Sequence, residues 1–137
     1  MSTDSVSVKG HLRIQLNDQI FEYDNIVTTA GKNGIADQTL ASPTLGKPTH
    51  MAVGTGSPTL TALGSELDRN VFTSKTRLNN VVTYVGNWPT GNATGLITEA
   101  GIFDATSGGN MWHSSGFAVI NKAANDTLQI TWTLTIS

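Results

Sequence analysis

The feature that most constrains the fold lies at the carboxyl end, where Leu128, Ile130, Trp132, Leu134 and Ile136 alternate strictly with Thr127, Gln129, Thr131, Thr133 and Thr135. Side chains repeat every two residues in a strand and every 3.6 in a helix, so this spacing describes a strand with one buried and one solvated face. Leu12, Ile14 and Leu16 alternate in the same way with Arg13 and Gln15, and Asn17-Asp18 supplies a turn. A hairpin near the amino end is expected.

Five further stretches are rich in β-branched or aromatic residues: His50 to Val53, Arg69 to Ser74, Val81 to Trp88, Ile97 to Phe103 and Met111 to Ile120. Turn-forming clusters separate them, among them "LNN", "WPTGNATG", "DATSGGN" and "NKAAND". Short strands at this spacing predict a mainly β chain, an antiparallel β-sandwich of jelly-roll-like form. One segment breaks the pattern. Ile26, Ala30, Ile35, Ala36 and Leu40 fall near helical spacing between Asp24-Asn25 and Pro43, which predicts one short helix over residues 26–41. Gly31 and Gly34 each cost about 1 kcal/mol relative to Ala inside a helix, so packing on the sheet must hold it.

With 137 residues the chain fits a single domain, 1–137, able to bury about 65 to 70% of its unfolded surface. Only 13% of its residues are charged, against about 25% in an average domain. The net charge of -2, without a cluster of Lys or Arg, argues against a nucleic-acid partner. Cys is absent, which excludes disulfides and thiolate metal sites. The amino end lacks a basic segment followed by an apolar core, and no apolar run approaches about 18 residues, so neither a secretion signal nor a membrane span is expected, and the chain is expected to be made in a cytoplasm. Residues 1–9, polar and without a core pattern, are expected to form a flexible arm.

Chemistry-bearing motifs fail one by one. "AGKNG" lacks the first glycine and the hydroxyl of a phosphate loop, and Gly54-x-Gly56 lacks the third glycine of a dinucleotide fingerprint. His11, His50 and His113 lie on separate candidate strands without paired ligand spacing. No Gly-x-Ser-x-Gly elbow is present. Glu22 with Asp24, and Glu66 with Asp68, do not extend into a calcium loop. Glu66 and Glu99 as a glycosidase pair would need a carboxylate separation that the sequence does not fix. No catalytic residue, metal or cofactor is expected. Trp132 shares its face with the apolar residues of the last strand and belongs to the core. Trp88, beside Pro89, is the candidate exposed aromatic for an interface or a sugar platform.

Taken in order, "HMAVGTG" (50–56), "ALGSELDR" (62–69), "ITEAGIFDATSGGNMW" (97–112) and "DTLQITWTLTIS" (126–137) resemble a family of small structural proteins of tailed bacteriophages. These are described as capsid decoration, or cement, proteins and as tail-fibre or baseplate components. The resemblance implies a non-enzymatic virion protein in which those motifs are scaffold. No coiled-coil or collagen-like stretch supplies a fibre shaft, which favours a homotrimer on the outside of a capsid, bound to the major capsid protein and stabilising it. A tail-fibre or baseplate component and a carbohydrate-binding sandwich are the alternatives. Glu99, set in an apolar run, is expected to be held by Arg69 as a structural charge pair or by backbone N–H groups, because an unpaired buried carboxylate is costly. Candidate interface residues are Trp88 and the arm residues Ser2, Thr3, Asp4, Ser5 and Val6.

Overall fold

The structure, a computed structural model, describes residues 5–137. In chain order its elements are β1 (Val8–Leu16), β2 (Gln19–Asp24), β3 (Ile26–Val27), α1 (Thr29–Asp37), β4 (His50–Gly54), β5 (Glu66–Val71), β6 (Ser74–Leu78), β7 (Val81–Trp88), β8 (Gly95–Phe103), β9 (Met111–Lys122) and β10 (Leu128–Ile136). They form two five-stranded sheets, β2-β1-β10-β7-β6 and β3-β9-β8-β4-β5, in which every paired neighbour is antiparallel. The chain is a β-sandwich with one short helix.

The alternation read in β10 decides the first sheet. Leu128, Ile130 and Trp132 stand opposite Leu16, Ile14 and Leu12 of β1, and opposite Trp88, Gly86 and Tyr84 of β7 on the other side. All eight of these non-glycine residues are buried. From the second sheet Met51, Val53, Ile97, Ala100 and Ile102 complete the same core. A Cβ on Gly86 would lie 2.9 Å from the Met51 sulfur, so glycine lets the facing sheet come close there. Loops of two residues close the β1/β2 and β6/β7 hairpins, with Asn17 and Asn79 both at φ 52°. Asn tolerates that left-handed conformation because its short side chain bonds locally.

Three expectations need correction. The helix spans Thr29–Asp37, shorter than 26–41, because Ile26 and Val27 pair with Ser114 and His113 as an edge strand and Thr28 becomes the N-cap, accepting from Gly31 N–H. The predicted strand from Arg69 to Ser74 is two strands in different sheets. Phe72 N–H donates to Thr49 O and Thr73 N–H to Val85 O, so the chain passes from one sheet to the other between those two residues. Finally, Val8 and Lys9 belong to β1, opposite Ile136 and Thr135, and Ser7 exchanges backbone bonds with Ser137, so these three residues of the expected arm 1–9 are tied to the sheet, and residues 1–4 lie outside the described residues.

The helix lies against β9. A Cβ on Gly31 would run into the Trp112 carbonyl and one on Gly34 into the Trp112 ring, so the two glycines that weaken the helix as an isolated element are what allow it to dock.

Candidate functional site

The most elaborate arrangement sits on the face of the second sheet that points away from the core. In β8, Glu99 is flanked in register by Gly54 of β4 and Gly116 of β9, which leaves a strip without side chains on either side of the carboxylate. The loop between β4 and β5, residues 55–65, lies down on that strip. Glu99 is fully buried beneath it, accepting from Gly64 N–H at 2.7 Å through Oε1, and from Gly56 N–H and Ser65 N–H, both at 2.8 Å, through Oε2. Thr98 Oγ1 donates to Gly56 O at 2.6 Å, and Thr55 N–H donates to Ser65 O, closing the loop at its ends. Glycine is required here for close approach: a Cβ on Gly54 would collide with Ser65 O, and one on Gly64 with Ser57 O. Ladder irregularities occur on both sides, between Val53 and Gly54 and between Ile97 and Glu99. Such bulges re-aim side chains and disrupt the ladder locally.

Apolar contact seals the rest of the loop. Leu63 joins Ala52, Phe103 and Met111 in a second buried cluster, and Pro58 stands over Gly116, 3.2 Å from where a Cβ would be.

Arg69 does not pair with Glu99. Its guanidinium makes a two-pronged pair with Glu66 (2.6 and 3.1 Å), donates through Nη1 to Ala105 O and Gly108 O, and lies 3.7 Å above the Phe103 ring. The charge pair expected between Glu99 and Arg69 is replaced by two separate clamps. Glu99 is satisfied by amides of the chain segment directly above it, whereas Arg69, on β5, reaches sideways to the loop after β8. That loop is fastened again by Asp104, which accepts from Asn110 N–H at 2.8 Å and from Trp112 Nε1 at 3.2 Å.

Other carboxylates do the same work. Asp37 closes the segment after α1, accepting from Thr44 N–H and Leu45 N–H, and these bonds hold its pKa below the ordinary aspartate value. Asp126 accepts from the Asn17 side chain and from Ala123 N–H, with its pKa lowered for the same reason. Its neighbour Lys122 donates to Pro89 O, and burial lowers its pKa against the opposing pull of Asp126. Each of these carboxylates thus fastens a loop through the backbone N–H groups it accepts from.

No family model, no curated protein and no solved structure matches the chain.

The remaining candidates are dispersed. His11 lies beside Glu22 at 3.2 Å on the exposed face of β1 and β2, His50 bonds Thr49 Oγ1, and His113 is buried between the sheets. Among the described residues no three His, Asp or Glu side chains gather as a metal site, and no helix is long and apolar enough to cross a membrane. Trp88 is not an exposed aromatic: it is fully buried against Leu128 of β10, because it shares the inward face of β7 with Tyr84 and Gly86. A sugar platform or interface built on its indole is therefore removed. Of the arm residues, Ser5 and Val6 are exposed, Val6 at 77%, and Ser2, Thr3 and Asp4 lie outside the described residues.

Pro and Gly punctuation marks residues 54–66 as a loop in the sequence, but that Glu99 fastens it was missed. Leu60, 83% exposed at its tip, faces Ile26, 61% exposed on β3, across a groove of about 420 Å³ whose floor includes Thr28 and Ser114. Gly54, Gly56 and Gly64 mark backbone that can be closely approached, but nothing in the sequence ties them to Glu99.

Proposed function

We propose that the chain is a non-enzymatic structural protein of a tailed-bacteriophage virion, a decoration protein that sits on the outside of the capsid, most naturally as a homotrimer, and stabilises the major capsid protein shell. The observation that carries this reading is the fastened loop 55–65, which presents the bare side chain of Leu60 on a rigid support beside Ile26. An apolar knob held by a buried carboxylate binds without first paying the entropy of ordering its own loop. Parts of three of the four stretches that carry the phage resemblance also meet in space: Gly56, Gly64 to Arg69, and Glu99 to Ala105 are joined by hydrogen bonds, whereas 126–137 lies in the other sheet. Many copies of such a weak contact on one shell sum through avidity.

The deciding experiment is a reconstruction of particles carrying the native chain or Leu60→Asp. Native density at repeated sites on the outer shell, lost for Leu60→Asp while the purified variant keeps its melting temperature, is the expected result. Density on the tail or baseplate axis would replace this reading with a tail component, and full occupancy by the variant would remove the loop from the interface.

A further inference from the structure

At the end of the sandwich away from loop 55–65, the two sheets and α1 leave a cavity of about 370 Å³. Its walls are apolar, with Ile35, Val82, Tyr84, Trp112 and Leu134 among them. Its mouth carries three cations, Lys47, Lys75 and Arg77, all exposed, and no acidic residue lines it among those described. Inside is a polar group that the fold leaves without a use. His113 lines the cavity, is fully buried, and neither ring nitrogen has a hydrogen-bond partner among the described residues; Gln38 Nε2, in the same wall, is also unpartnered. Buried polar groups are nearly always satisfied, so two orphans lining one cavity point to something that is meant to occupy it. Burial holds the His113 pKa down to about 4, so at neutral pH the ring is uncharged and offers one donor and one acceptor.

We propose that this cavity binds a small amphiphilic carboxylate, with its apolar body between the sheets, its anionic head at Lys47, Lys75 and Arg77, and a hydroxyl or carbonyl on the body bonded to His113. The size lies at the small end of the range for ligand pockets, about 300 to 1,000 Å³, which suits a single medium-length chain or one ring system rather than a large cofactor. Charge decides the head group. Three cations facing no acid attract an anion and repel an amine, with a preference that salt weakens. The unpartnered imidazole decides the body, since an entirely apolar chain leaves both nitrogens bare whereas one hydroxyl satisfies one of them.

The test compares decanoate, decanol, decylammonium and 10-hydroxydecanoate on the native chain, read by tryptophan fluorescence, because Trp112 lines the cavity, and by melting temperature. Saturable binding of decanoate about tenfold tighter than decanol, with decylammonium weaker still, is expected, and the hydroxy acid should bind tighter than decanoate. In a Lys47→Gln, Arg77→Gln double variant, both sites being exposed, the fold should persist while the preference for the carboxylate over the alcohol falls about tenfold. In His113→Leu the advantage of the hydroxyl should vanish while decanoate still binds. Equal binding of all three head groups would overturn the proposal. So would absence of saturable binding, and concentration-dependent self-association alongside it would make the cavity mouth a contact between copies of this chain.

Discussion

At the residue scale the chain is governed by how it treats buried charge. Glu99 carries three amide bonds in a site without solvent, and hydrogen bonds to a charged group contribute about 1.5 to 3 kcal/mol each. In Glu99→Gln one carboxylate oxygen becomes an NH2 that must face a backbone N–H, so a loss of about 3 kcal/mol is expected in denaturant unfolding. Amide exchange at Gly56, Gly64 and Ser65 should rise selectively in the same variant. His113 predicts a pH effect of definite sign. Its pKa is lowered from 6.5 to about 4 in the folded chain, so the unfolded chain binds more protons between those values and stability falls as pH drops through that window. The shift corresponds to about 3 kcal/mol, and stability measured between pH 7 and 4 should lose that slope in His113→Leu. Asp37 and Asp126 act lower on the scale. Their depressed pKa values give stability that is complete above the ordinary aspartate value and is lost as pH falls below it, which keeps the two effects separable. Residue type alone showed that Glu99 needs a partner. Of the two partners expected, Arg69 or backbone N–H groups, the second holds it, but which N–H groups was not legible, because they lie 34 to 43 residues earlier in the chain and every residue type except proline carries one.

At the element scale, tertiary contact reverses ordinary propensity. Replacing glycine by alanine inside a helix normally stabilises by about 1 kcal/mol. In α1 the change Gly34→Ala should instead lower the melting temperature, because the added carbon meets the Trp112 ring, and pairing it with Trp112→Leu should recover part of the loss. The helix boundaries were misread for a related reason: Ile26 and Val27 have helical spacing relative to Ala30, but β9 offers them an edge to pair with. Parity explains the other misreading. Pro89 marks a turn, yet Tyr84, Gly86 and Trp88 are two residues apart and one of them, Tyr84, is buried enough to raise its phenol to about 12, so Trp88 had to face inward with it. Counting parity back from the strand would have found this, whereas the turn signal alone hid it.

At the scale of the whole molecule, the two ends of the chain lie side by side, β1 pairing with β10 along its entire length. Relative to a chain that lacks residues 1–5, one that lacks 1–9 also loses Ser7, Val8 and Lys9 from beside Ser137, Ile136 and Thr135 and should melt about 5 °C lower. A calorimetric comparison of the two truncations locates where the arm ends and the sheet begins. What the sequence by itself determined was the class of fold and the position of most strands, because alternation between apolar and polar residues is a local property that each segment carries alone. Which strands became neighbours, which sheet each joined, and what lay over Glu99 were decided only in three dimensions. Those outcomes rest on backbone hydrogen bonds and on space left free by glycines, and neither leaves a periodic mark on the chain.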